Sequence, residues 1–386
     1  MLRGKDILIF GDDWGRHPST MQHVARVFAK DNHIIWVGSL SNRAPKLRLA
    51  DLKRLVHKFM LVFNERSYHN ETRNVKEVYP FVLPYFDIPV VRSLNRILIM
   101  ARLKRAFKEE NFHNPIVFTG NPIMADIVPD LDPSSVHYFC LDDYDKFSDV
   151  FHSIREMEQL ILERIDTSLC VSEFLRKTKM PRKGSSHFMP QGVDAQHFVY
   201  SPMSVPENIR SIRPPRVGFF GLIADWIDLN LIAKCAEHYP EVSFVLLGKV
   251  VTDVSAVVGR KNIYLLGEIP YEQLPQYASG FDVGIIPFIL NDLTLACNPL
   301  KLLEYFSLGL PVVSTDLPEV RKFGNLVYLA RTQSQFLRKL GISLKERDKS
   351  KQQRRRRVAQ QHSWDLIASQ VADIVNDVEK RKGRQE

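Results

Sequence analysis

The chain has 386 residues, 45% of them apolar and 25% charged, with a formal net charge of +9. That length exceeds what one ordinary core serves and predicts two globular domains of roughly 150–200 residues each. No uninterrupted apolar run approaches the ~18 residues of a membrane span, and "MLRGKDILIFGDDWG" meets two aspartates too soon for a signal peptide, so a cytoplasmic location is expected.

Four cysteines, at 140, 170, 235 and 297, show no CxxC or Cys/His ligand spacing and are expected as reduced core thiols. The positive charge calls for a negative partner, and nucleic acid, an anionic membrane face or a phosphorylated substrate would each serve.

Short apolar runs alternate with helical patterns, the signature of a parallel α/β protein. In chain order the first half predicts strands at 6–10 ("DILIF"), 33–38, 115–120, 136–140, 167–172 and 186–190. Between the second and third lies "KLRLADLKRLVHKFMLVF" (46–63), with Leu49, Leu52, Leu55, Val56, Phe59 and Met60 on one helical face and Arg48, Lys53, Arg54, His57 and Lys58 elsewhere. Such a helix suits an anionic membrane interface, or equally a core position with a solvated basic side.

After the Pro-rich "SPMSVPENIRSIRPPR" (201–216) a second series predicts strands at 217–221, 243–248, 262–267, 282–288, 311–315 and 326–330. "KERDKSKQQRRRRV" (345–358) reads as a solvated basic helix or loop, or as a contact for an acidic partner. The spacing of Trp364, Ile367, Val371, Ile374, Val375 and Val378 predicts a final helix. The expected division is therefore 1–200, a linker at 201–216, 217–361, and a terminal segment at 362–386.

One predicted helix carries an odd stripe. In "NPLKLLEYFSLGLPVVST" (298–315), Asn298, Lys301 and Glu304 recur every three residues while Leu300, Leu302, Leu303, Tyr305 and Phe306 cover most of the circumference. Lys301 and Glu304 need partners there, either each other as an i, i+3 ion pair or a ligand. Ligands of open parallel sheets bind beyond the carboxyl ends of the strands at the switch between windings. Asn298 is a good N-cap and Pro299 fits the first helical position, so the helix start would attract an anion. Lys301 could add charge to a diphosphate, and a deeper Glu304 could accept from ribose hydroxyls.

This segment resembles the donor site of GT-B glycosyltransferases, in which a Lys or polar residue and a Glu hold a nucleotide sugar. "VGFFGLIADWIDLNLI" resembles that family's opening strand and glycine turn, at Gly221. "LLGEIPYEQLPQYASGFDVGIIPF" resembles its base-binding loop, "MPQGVDAQHF" the element closing the first domain, and the Trp364 helix the terminal helix that recrosses to it. The resemblance implies two doubly wound Rossmann-like α/β domains facing a cleft, with a C-terminal helix crossing back to the first. Lys249 is a second candidate for the phosphates, and Glu268 and Tyr271 for flanking the base. Many retaining members carry a second Glu eight positions before the one matching Glu304, and Ala296 stands there. The chain looks closer to bacterial exopolysaccharide enzymes such as the xanthan glucuronosyltransferase and the teichuronic-acid transferases, and inversion of configuration is expected.

"FGDDWGRHPSTMQHVARVF" (10–28) lacks GxGxxG, so no nucleotide is expected in the first domain. The resemblance assigns that domain to the acceptor, with Asp12, Asp13, Trp14 and Arg16 as candidates; a solvated turn is the alternative. Inverting transfer needs a base for the acceptor hydroxyl. In "VHYFCLDDYDKF" (136–147) a buried strand ends in Asp142 and Asp143, where a carboxylate beside another can have a raised pKa. Helix capping is the competing role. "DYD" matches a metal-binding tripeptide of a different glycosyltransferase fold, but GT-B enzymes neutralise the diphosphate with helix dipoles and basic side chains, so no metal or other cofactor is expected.

The expected function is transfer of a hexosyl or glycuronosyl group from a UDP-sugar to a lipid-linked glycan or polysaccharide, at the inner membrane surface. The rivals are a sugar-nucleotide epimerase of the same shape and a basic nucleic-acid-binding protein. The second lacks a recognition motif, so no nucleic acid is expected.

Overall fold

A computed structural model describes residues 1–15, 18–38, 74–147 and 150–384. They separate into two compact units, residues 1–190 with 365–386, and residues 191–364. The chain has the two-domain α/β architecture that the alternation of apolar runs predicts.

The first unit is built on a seven-stranded sheet ordered β3-β2-β1-β4-β5-β6-β7. Its strands are β1 (Asp6–Phe10), β2 (His33–Val37), β3 (Val75–Val78), β4 (Ile116–Thr119), β5 (Ser135–Cys140), β6 (Thr167–Cys170) and β7 (Ser185–Phe188). Every pairing is parallel. All of β4, β5 and β6 is buried, which is why those strands read as continuous apolar runs. Edge strand β3, "VKEV", pairs only with β2 and is half-buried, so it carries no such run and escapes sequence detection.

The second unit holds a six-stranded parallel sheet ordered β10-β9-β8-β11-β12-β13. These are β8 (Arg216–Phe220), β9 (Ser243–Leu247), β10 (Ile263–Gly267), β11 (Val283–Ile286), β12 (Val312–Thr315) and β13 (Val327–Ala330). The winding reverses at β8/β11, as it does at β1/β4 in the first sheet.

The expected linker at 201–216 is not a free tether. Val193, Phe198, Val205, Ile209 and Ile212 are buried in the core of the second unit, so that unit begins at residue 191. From Asp365 onward the C-terminal helix, Trp364–Lys382, packs in the first unit: Lys382 Nζ donates to Asp166 Oδ2 at 2.8 Å and to the Ser134 carbonyl at 2.9 Å.

The basic run forms helix Lys349–Gln360, and its arginines divide. Arg355 is fully buried, donating to the Leu326 carbonyl and pairing with both Glu346 carboxylate oxygens, and Arg356 donates to the Leu308 carbonyl at 3.1 Å. Arg354 and Arg357 face a recess of about 360 Å³ beside Lys322. One of the four arginines is thus internal and Arg356 is half-buried, so the run is not simply a solvated basic face. The amphipathic segment 46–63 lies outside the described residues.

Candidate functional site

At the carboxyl edge of the second sheet the ends of β8 and β9 interlock. Gly221 has φ +128° and Gly248 φ +146°, and a Cβ on Gly248 would stand 1.8 Å from the Gly221 carbonyl oxygen. Only glycines allow this approach. The Gly221 N–H donates to the Leu247 carbonyl at 2.9 Å and the Gly248 N–H to the Gly267 carbonyl at 2.6 Å, so three adjacent strands end in one ledge.

Lys301 faces this ledge. A Cβ on Gly221 would lie 3.4 Å from Lys301 Cε and 3.5 Å from its Nζ. The ammonium sits 5.0 Å from the Phe288 ring centroid and 5.4 Å from that of Phe219, contacts that orient a cation without neutralising it. Glu304 follows one turn along helix Lys301–Leu308. Among the described residues, neither side chain has a salt bridge or hydrogen bond, so the i, i+3 ion pair does not form. Burial pushes the Lys301 pKa down and the Glu304 pKa up to about 7, with Lys301 pulling the latter back. A half-buried ammonium and carboxylate, each short of solvation and of a partner, form a site with unmet polar demand.

The helix start differs from the expectation. Asn298 is not its N-cap: the regular helix begins at Lys301, Leu300 occupies the cap position without a side-chain bond, and the Pro299 carbonyl accepts from the Leu302 N–H at 3.1 Å. A capping box is instead made by Asn291 and Thr294, which fold the preceding segment into the short helix Asp292–Leu295. Pro299 is buried, and Asn298 is half-buried. Ala296, at the position of the second glutamate of retaining enzymes, is fully buried.

The remaining donor-side candidates are less concentrated. Lys249 is exposed, with its carbonyl accepting from the Ile223 N–H at 2.9 Å, and Glu268 is exposed just past Gly267. Tyr271 is stacked on His197 at 4.5 Å between ring centroids, and its carbonyl lies 3.0 Å from His197 Nε2, so one ring face is already taken.

In the first unit the candidate carboxylates also follow sheet ends. Asp12 comes after β1 and accepts from Ser19 Oγ and Gln22 Nε2, each at 3.1 Å. Asp13 is half-buried, and Arg16 lies outside the described residues. Trp14 is buried, edge-on to Trp36 at 4.8 Å with the Arg26 guanidinium over its ring at 5.6 Å.

Beyond β5, Asp142 and Asp143 take different environments. Asp143 is buried, with Oδ1 2.7 Å from Lys179 Nζ. The same ammonium pairs with Glu158, whose other oxygen accepts from the Tyr138 hydroxyl at 2.8 Å. Asp142 has no salt bridge among the described residues; burial and the charge of Asp143 push its pKa up to about 7. The loop is tied down by Tyr144, which donates to the Gly120 carbonyl at 2.6 Å. No residue near Lys179 in sequence announces this cluster, so it escapes a reading by motif. Among the described residues no group of three or more His, Cys, Asp or Glu is arranged to hold a metal ion.

Residues 214–340, which carry the glycine ledge and the Lys301–Glu304 stripe, match the family model described as "Glycosyl transferases group 1". The match covers about a third of the chain and lies within the second unit. The chain is 30% identical over 179 residues to the putative teichuronic acid biosynthesis glycosyltransferase TuaH of Bacillus subtilis (strain 168), a match covering 44% of this chain and 45% of that protein. The match thus spans less than half of that relative's length.

Among solved structures, HepE of Anabaena in complex with UDP and glucose superposes with a TM-score of 0.65 at 14% identity, covering 96% of this chain and 99% of that one. Sucrose-phosphate synthase of Thermosynechococcus elongatus does so with 0.70 at 12%, covering 97% and 99%. These likenesses establish the GT-B fold.

Proposed function

We propose that this protein is a glycosyltransferase that moves a hexosyl or glycuronosyl group from a UDP-sugar onto a hydroxyl of a lipid-linked glycan or polysaccharide, with inversion, at the inner membrane surface. The observation that carries the reading is the unpaired Lys301–Glu304 stripe against the Gly221 ledge, within the residues that match the group 1 glycosyl transferase model. The UDP in the HepE complex supports the choice of nucleotide.

In this reading Lys301 meets the diphosphate, Glu304 accepts from the ribose hydroxyls, and Gly221 lets the phosphates approach the backbone. Lys249 adds charge at the rim, while Glu268 and Tyr271 flank the base. Asp142 takes the proton of the acceptor hydroxyl as its oxygen bonds to the anomeric carbon. The bond from that carbon to the diphosphate breaks, and UDP leaves with the electron pair, its charge met by Lys301. The step invokes no metal. Asp12 and Asp13 belong to the acceptor side.

Among the described residues no helix is long and apolar enough to cross a membrane. The test is to mix the protein with candidate sugar nucleotides and a lipid-linked acceptor and measure free UDP and the anomeric configuration of the product by NMR. Acceptor-dependent UDP release with a β product from an α donor is the expected result. Conversion to an isomeric sugar nucleotide without transfer would make the protein an epimerase.

A further inference from the structure

Helix Pro89–Glu109 is apolar on two opposite sides. Its 21 residues bury Asn95, Ile99, Met100, Leu103 and Ala106 against the first unit. At 100° per residue, Val90, Leu94, Ile97 and Ala101 fall within about 60° of one another on the opposite side. That side is exposed: Val90 is 78%, Leu94 42% and Ile97 64% accessible. A surface helix normally turns polar residues outward, so an apolar outward stripe implies a surface that covers it.

The same outward face changes character along its length. Beyond Ala101 it carries Lys104, Arg105 and Lys108, all exposed. Arg105 pairs with Glu109 at 2.7 Å, whereas Lys104 and Lys108 have no salt bridge among the described residues. The loop entering the helix adds Phe81, Tyr85 and Ile88, also exposed. This loop is fixed to the helix: the Leu83 N–H donates to Asn95 Oδ1 and its carbonyl accepts from Asn95 Nδ2, each at 2.8 Å.

We propose that this outward face, from Phe81 to Lys108, is a docking surface for an anionic lipid bilayer. The proposal rests on the membrane-borne acceptor above and names where the protein meets the membrane. The apolar half enters the acyl boundary, Tyr85 and Phe81 sit at the interface, and Lys104 and Lys108 lie against lipid phosphates. A second copy of the chain fits less well. Antiparallel pairing of two such helices sets apolar against cationic halves, and parallel pairing sets cation against cation. A bilayer presents apolar interior and anionic headgroups to the same helix at once.

The test is co-sedimentation of the full chain with phosphatidylglycerol-containing vesicles and with pure phosphatidylcholine vesicles at about 0.1 M salt. Wild type is expected to pellet with the anionic vesicles only. Val90→Glu with Ile97→Glu should lower partitioning at least ~10-fold, and Lys104→Glu with Lys108→Glu should abolish the lipid-charge preference. Unchanged melting temperature and UDP affinity would show both proteins folded. Equal pelleting of wild type and the Val90/Ile97 variant would overturn the proposal, as would a wild-type dimer that this variant splits without losing vesicle binding. Transfer to a detergent-solubilised acceptor separates the two readings: its failure in wild type with vesicle binding intact removes the proposed function and leaves the surface standing.

Discussion

Lys179 Nζ stands 2.7 Å from Asp143 and makes no salt bridge with Asp142, so of two adjacent carboxylates that burial pushes up in pKa only one has a cation to offset it. Asp143 is tied into a buried cluster with Glu158 and Tyr138. Asp142 is left with a raised proton affinity near neutrality, the range suited to a general base. Asp142→Asn is expected to lower kcat at least ~10²-fold with donor affinity kept. In wild type, kcat/KM should rise with pH through about 7 as the base ionises. A pH-independent rate between 6 and 8, or a near-normal Asn variant, would remove Asp142 from the reaction.

The same residue links activity to stability with a definite sign. The folded state holds the Asp142 proton up to about 7, whereas the unfolded chain releases it near 3.8, so this group's contribution to stability falls as pH rises between those values. At pH 8 the Asp142→Asn protein should therefore melt at a higher temperature than wild type while being less active. Thermal scans at pH 5 and pH 8 check this; the gain should be about two- to three-fold larger at 8 than at 5.

Loss of the shared cation should be costly. Lys179→Met leaves Asp143 and Glu158 buried without a counter-ion, and breaking such a cluster costs about 3–5 kcal/mol. Urea unfolding measures the loss. Lys179 carries a raised pKa in the fold, so its contribution is complete at neutral pH and fades only as the medium becomes strongly alkaline. A loss under 1 kcal/mol would mean that water or a neighbour replaces the ammonium.

On the donor side, Lys301→Ala and Glu304→Ala should each weaken UDP-sugar binding without unfolding the protein, because neither removes core volume. Calorimetric titration with UDP-glucose is the measurement. Its phosphodiesters do not titrate near neutrality, so pH dependence there reports the protein. Affinity should fall below about pH 7 as Glu304 protonates, and Glu304→Gln should flatten that profile. Wild-type affinity in both alanine variants would mean that the stripe binds no nucleotide.

Among the four consecutive arginines, Arg355 should behave differently from Arg354 and Arg357. Arg355→Ala removes two charge-assisted bonds from Glu346, which keeps Lys351 and the Tyr328 hydroxyl, and leaves the Leu326 carbonyl without its donor, so it is expected to cost about 1.5–3 kcal/mol, while Arg354→Ala and Arg357→Ala, exposed, should change stability by under about 0.5 kcal/mol. Chemical denaturation of the three variants decides it; equal small effects would make the whole run a solvated face.

Twelve of the thirteen strands among the described residues were legible in the chain, most of them because buried strands must be continuously apolar, and the missing one, Val75–Val78, is a half-buried edge with Lys76 and Glu77 at its centre. The Lys301–Glu304 stripe was legible for the same reason in reverse, since charge on an apolar helix stands out. Which charges find partners was not legible. That Lys301 faces Gly221, that Lys179 pairs with Asp143 but not Asp142, that Trp14 packs on Trp36, and that Arg355 is buried beside an exposed Arg354 all depend on residues brought together from distant parts of the chain. Hydrophobic periodicity is a local property and fixes the elements; burial and pairing are set by which element packs against which, and only the tertiary structure decides them.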